Sequence, residues 1–94
     1  MKFKDKTVVV TGSRRGIGLG IALEFAKLGA NVVLNGTREI DAETLAQFDV
    51  YPGEVMTFVG DVSKFDVAEN FINEVKERFG RIDVLVNNAG ITRD

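Results

Sequence analysis

Apolar residues along this chain follow two rhythms that alternate from one end to the other. Short continuous runs, rich in β-branched residues, occur at Val8-Val9-Val10, Val32-Val33-Leu34, Val55-Met56-Thr57-Phe58-Val59 and Val84-Leu85-Val86. Continuous runs of this length suit strands covered on both faces, as in a parallel sheet. Between them the apolar residues recur at helical spacing. Ile17, Ile21, Phe25 and Leu28 form one stripe, and Gly29 stands where a left-handed cap would end that helix. Ala68, Phe71, Ile72, Val75 and Phe79 form a second stripe over residues 64–79. Ser63 followed by Asp66 reads as an N-cap with a capping-box variant, and Gly80 closes this helix. A shorter, weaker helix is expected from about Asp41 to Phe48, with Pro52-Gly53 marking the turn behind it.

The predicted order is therefore βαβαβαβ. Short links and right-handed crossovers make this an α/β fold with a parallel sheet and helices on both faces. With the first strand central, the strands lie in the order 3-2-1-4, half of a Rossmann-type doubly wound sheet. No repeat, low-complexity stretch or linker interrupts the pattern, so residues 1–94 read as one unit.

Composition narrows the function classes. Of the 94 residues, 45% are hydrophobic and 28% charged, the balance of a globular domain. Twelve Lys and Arg against 14 Asp and Glu give a net charge of −2, which argues against a nucleic-acid or membrane-surface partner. There is no cysteine and no histidine. That excludes disulfides and thiolate–metal sites, and removes the usual general base and the commonest nitrogen ligand, so no metal site is expected. The opening Met1-Lys2-Phe3-Lys4-Asp5-Lys6 holds no apolar run fit for a signal peptide, and nothing approaches a membrane span, so the reading is cytoplasmic.

The strongest chemical signal is Thr11-Gly12-Ser13-Arg14-Arg15-Gly16-Ile17-Gly18, set between the first strand and the first helix. A helix start presents unpaired backbone N–H groups and the positive end of its dipole, which suits a pyrophosphate. Gly12 would let the strand turn sharply, Gly16 would let the backbone approach phosphates, and Gly18 would let the helix lie close to the sheet. The spacing is T-G-x-x-x-G-x-G rather than the commoner G-x-G-x-x-G.

That pattern resembles the short-chain dehydrogenase/reductase family. Two further family motifs stand in the expected order: Asp61-Val62 after the third strand and Asn87-Asn88-Ala89-Gly90 after the fourth. The resemblance covers the whole chain. It implies that Asp61 accepts a hydrogen bond from an adenine amino group, with the Val62 backbone beside the ring. Asn87 and Asn88 share two tasks by the same resemblance: tying the fourth strand to its neighbours and contacting the cofactor near its adenosine ribose. Gly90 keeps the backbone clear of the cofactor. With Ser13 and Ile17 in the turn and Ala89 beside Asn88, these residues complete the candidate contacts.

Charge separates the two nicotinamide dinucleotides. An acid near the end of the second strand would hold a ribose 2′-hydroxyl. Here that segment is Asn35-Gly36-Thr37-Arg38, with no acid before Glu39. A 2′-phosphate calls for cations and hydroxyl donors instead, and Arg15, Thr37 and Arg38 supply them, with Arg14 as a further candidate. The expected cofactor is NADP(H).

The family's chemistry uses a Tyr-x-x-x-Lys pair on a later helix and an upstream Ser. The one tyrosine, Tyr51, has Val55 four positions on and Pro52-Gly53 directly after it, so it is a turn residue and no catalytic residue is named. The family's chain is well over twice this length, so these residues read as a dinucleotide-binding half-domain that is inactive alone. In the full fold later strands would cover Val84-Leu85-Val86. Alone, that run is an apolar edge expected to be covered by a second copy, a companion chain or a rearranged packing. Within the family, Gly29-Ala30-Asn31-Val32-Val33, the segment from Arg81 to Gly90 and the ending Ile91-Thr92-Arg93-Asp94 resemble most the bacterial reductases of 3-oxoacyl-acyl-carrier-protein. That branch moves hydride from NADPH to the β-keto group of an acyl-carrier-protein thioester in fatty-acid synthesis. Two alternatives stand beside it: a reductase of a sugar, polyol or hydroxyacyl substrate, and a non-enzymatic, self-assembling half-fold.

Overall fold

The computed structural model describes residues 1–89. Gly90 and the ending Ile91-Thr92-Arg93-Asp94 lie outside the described residues. The elements run β1 (Thr7–Val10), α1 (Gly16–Lys27), β2 (Asn31–Gly36), α2 (Ala42–Ala46), β3 (Val55–Val59), α3 (Phe65–Phe79) and β4 (Val84–Val86). The four strands form one parallel sheet in the order β3-β2-β1-β4, as the sequence pattern predicts. Val8 sits beside Val32 on one side and Val84 on the other, so β1 is central and its C-terminal end meets both neighbours.

Alternation along the strands divides the core in two. Val8, Val10, Val32 and Leu34 pack under α1 and α2 with Ala22, Ala26, Ile40 and Phe48. Val9 and Val33 face α3 and meet Phe71 and Val75. Phe58 of β3 stacks on Phe71 with ring centroids 4.4 Å apart, joining the sheet to α3. Full burial of each such valine or phenylalanine is worth about 1.5–3 kcal/mol, so these two layers carry most of the stability.

Three details differ from the sequence reading. First, the stripe on α1 is not Ile17-Ile21-Phe25-Leu28: Ile17 is 70% exposed and Leu28 39% exposed. The buried face is Gly18, Ala22 and Ala26, because a helix this close to a sheet admits only small side chains along its contact line. Leu19, Ile21, Leu23 and Phe25 spread down the sides and pack against the edges of that cluster. Second, Ser63 is not the N-cap of α3. Lys64 holds that position and makes no side-chain cap, while Ser63 turns back to Asp61. Third, β4 is covered on one face only, where Val84 and Val86 pack against the α1 side of the core. Leu85 of β4 pairs with Val9, whose side chain faces α3, and is 54% exposed.

Side-chain bonds pin the short β4 at both ends. The Thr7 backbone N–H donates to Asp83 Oδ2 at 2.8 Å, and Arg81 holds Asp83 Oδ1 at 2.7 Å. The Arg81 guanidinium, and then the Thr7 N–H, keep the Asp83 carboxyl below its ordinary range. At the other end Thr11 donates its hydroxyl to Asn87 Oδ1 at 3.2 Å, and its Oγ1 accepts the Ala89 N–H at 3.1 Å.

Candidate functional site

Parallel strands send all their C-terminal ends to one side, so the loops that follow β1, β2, β3 and β4 meet there. They enclose an open crevice of about 1000 Å³. The first loop is the glycine-rich turn. Gly12 has φ +60°, and a Cβ on it would lie 2.9 Å from the Ala89 Cα, so the chain passes β4 only with glycine here. Gly16 has φ +64° and nothing within 4 Å of where its Cβ would sit, so its face toward the crevice is bare. The first turn of α1, Gly16, Ile17 and Gly18, follows an Arg15 N-cap that makes no side-chain cap and contains no acidic residue. Backbone N–H groups at such a helix start have no intrahelical acceptor, and the helix dipole adds partial positive charge.

Most of the residues expected from the sequence line this one crevice. Gly12, Arg14, Arg15, Gly16 and Ile17 come from the turn, and Thr37 and Arg38 from the loop after β2. Asp61 and Val62 follow β3, and Asn88 and Ala89 follow β4. The exceptions are instructive. Ser13 was expected at the cofactor but is fully buried: its hydroxyl donates to Val10 O at 2.7 Å and accepts the Asn35 N–H at 2.9 Å. The sharp turn at Gly12 rolls Ser13 inward, where it holds the turn instead of lining it. Gly18 lies beneath the crevice, where its missing side chain lets Gly12 O and Asn88 Nδ2 come in close. Gly90 lies outside the described residues.

The paired asparagines act first as ties. Asn87 accepts from Thr11, and Asn88, 2% exposed, donates from Nδ2 to Gly12 O at 3.0 Å. Asn88 therefore fixes the glycine-rich turn against β4 while lining the crevice wall. Asp61 accepts from the Ser63 hydroxyl at 2.6 Å and the Ser63 N–H at 3.0 Å, both on Oδ1. The hydroxyl, and then the backbone N–H, hold its carboxyl below the ordinary range, so it is a carboxylate acceptor throughout the neutral region.

Asn35 is the residue the sequence reading missed. It is 2% exposed at the end of β2. Its Oδ1 accepts the Gly12 N–H at 3.0 Å, and its Nδ2 donates to Phe58 O at 3.1 Å and Gly60 O at 3.2 Å. One amide thus joins the glycine-rich turn, the second strand and the approach to Asp61. An asparagine that interrupts an apolar strand run just before a glycine was the available signal.

Comparison with known proteins places this architecture among studied ones. The sequence profile described as short chain dehydrogenase matches residues 6–94. The 3-oxoacyl-acyl-carrier-protein reductase of Chlamydia muridarum is 45% identical over 92 residues, which are 96% of this chain and 37% of that protein. The 11-beta-hydroxysteroid dehydrogenase-like 2 protein of Arabidopsis thaliana is 42% identical over 90 residues, 92% of this chain and 29% of that one. Among solved structures, a metagenomic short-chain oxidoreductase in complex with NADP superposes with a TM-score of 0.83 at 38% identity, covering 97% of this chain and 42% of the other. The chain thus spans well under half the length of each of these relatives.

Proposed function

Because the chain belongs to the short-chain dehydrogenase family, we propose that its crevice binds NADP(H) and that it is the dinucleotide-binding segment of an NADPH-dependent oxidoreductase. The observation that carries this reading is the convergence of a bare, cationic helix start, the Asp61 carboxylate and the Arg14–Arg15–Arg38 group on one opening. Gly16, Ile17 and Gly18 would receive the diphosphate with their backbone N–H groups. Asp61, already anionic, would accept the adenine amino group. Arg15, Arg38 and Thr37, all exposed at the crevice rim, would surround a 2′-phosphate, and the loop after β2 offers no acid before Glu39. The dinucleotide supplies hydride when bound.

The substrate we favour is the β-keto group of an acyl-carrier-protein thioester, supported by the 45% identity to the chlamydial reductase. One observation favours a second class: 42% identity to a plant protein named for hydroxysteroids, nearly as high over the same residues. The two relatives match nearly the same share of this chain, 96% and 92%, so this stretch of sequence supports both substrate classes.

These 94 residues contain no Tyr-x-x-x-Lys pair. The expected result is binding without turnover: fluorescence titration detects NADPH binding at least about 10-fold tighter than NADH, the worth of one charge-assisted contact, while NADPH is not consumed with an acetoacetyl thioester. Tighter binding of NADH would refute the cofactor assignment.

The exposed β4 edge carries a further part of the proposal, that another copy or a companion chain covers Leu85 and its neighbours. Light scattering of the isolated 94 residues is expected to give a mass above the 10.3 kDa monomer. A soluble monomer at high concentration would count against it.

A further inference from the structure

Resting on the NADP(H) reading above, we propose that Arg14 is a specificity-determining residue that works by occupation of space as well as by charge. Gly36 is the last residue of β2 and is buried. An acid that met a ribose 2′-hydroxyl would have to stand at this strand end. A Cβ built on Gly36 would lie 2.9 Å from Arg14 Cβ, 3.2 Å from Arg14 Cδ and 3.1 Å from Arg38 O. The arginine stem therefore already fills the path that a carboxylate side chain would take. Contacts under 3 Å with a Cβ near the backbone cannot be relieved by rotating the far end of the arginine alone.

Arg14 is also anchored. Its Nε donates to Glu39 O at 3.2 Å across the loop that follows β2. The one side chain thus packs over Gly36 and ties the glycine-rich turn to the loop carrying Thr37 and Arg38. The tether uses Nε, so both terminal amino groups of the guanidinium remain for an anion on the crevice side, where Arg14 lines the opening beside those two residues. The occupied strand end and the offered cation belong to the same residue, which couples rejection of an acidic side chain to acceptance of a phosphate.

The coupling predicts that preference cannot be inverted by adding an acid alone. The experiment is a set of four 94-residue chains: the parent, Arg14→Gly, Gly36→Asp and the double variant. Each is titrated with NADPH and NADH by fluorescence, and each is unfolded in urea. Arg14→Gly is expected to weaken NADPH roughly 10-fold or more while changing NADH by less than about 3-fold, the loss of one charge-assisted contact. Gly36→Asp is expected to weaken both nucleotides and lower the unfolding midpoint, and adding Arg14→Gly, which removes the Cβ as well as the stem, is expected to raise the midpoint above that of Gly36→Asp alone and give a chain that prefers NADH.

Two results would overturn the assignment: Gly36→Asp binding NADH as tightly with Arg14 present as without it, or urea midpoints in which the two substitutions merely add. A parent chain that binds neither nucleotide would instead overturn the NADP(H) reading itself. The urea cycle would still report whether the Arg14 stem excludes a side chain at position 36.

Discussion

Replacing Gly18 with alanine is expected to lower the stability of this chain by about 3 kcal/mol and to abolish measurable dinucleotide binding. The added Cβ would collide with the Gly12 carbonyl oxygen and lie 2.7 Å from Asn88 Nδ2. Neither neighbour can yield cheaply. The first is backbone in a left-handed turn, and the second is a buried amide already bonded to that same oxygen. Overpacking of this kind costs about 1–3 kcal/mol, and displacing the Asn88 hydrogen bond adds about 1 kcal/mol. A domain of this size has about 5–15 kcal/mol in total, so the loss is a large share. Gly20→Ala is the control. It lies on the same helix with nothing within 4 Å of its Cβ position, and should stabilise by up to about 1 kcal/mol. Urea unfolding of both variants checks the pair, and equal midpoints would remove the steric argument.

Asn35→Asp should be nearly as damaging at neutral pH, and for a different reason. The substitution keeps the acceptor for Gly12 N–H but turns the donor that serves Phe58 O and Gly60 O into a second acceptor. A buried carboxylate facing two carbonyl oxygens is unfavourable, so its folded pKa must rise above the unfolded one. A raised carboxyl pKa means that the folded form binds its proton more tightly, so the penalty is full above the folded pKa and shrinks as the pH falls through it. The expected signature is a variant about 3 kcal/mol less stable than the parent near neutral pH, from groups costing about 1–3 kcal/mol each when left unpaired. The gap narrows toward acid, where the protonated side chain donates again. Urea midpoints measured from neutral to mildly acidic pH would show this, and a constant gap would mean that Asn35 does not act as a donor.

The sequence makes the architecture legible because periodicity is a strong signal where helices and strands alternate. The valine runs predict all four strands, and Gly29 and Gly80 mark two helix ends through positive φ, +93° and +78°. The buried line of α1 was harder to see. Reading large apolar residues as the inward face fails when the helix sits so near the sheet that Gly18, Ala22 and Ala26 make the contact and Ile17 faces the crevice. The site was legible as far as its loops. Which turn residues face outward depends on how the chain rolls after Gly12, and spacing alone does not show that Ser13 turns inward. Asn35 was hidden for a related reason: its importance comes from carbonyls 23 and 25 positions away.

The bonds that seat β4 also order events in time. Thr7 reaches Asp83, Thr11 reaches Asn87, and Gly12 reaches Asn88, each across 76 residues of chain. Closing so long a loop has an entropic cost that the local β1-α1-β2 unit does not bear. During synthesis the turn, its helix and the second strand leave the ribosome first and can settle together. The Gly12 carbonyl then waits for the Asn88 amide, and one wall of the crevice rises only after Asn88 itself has been made.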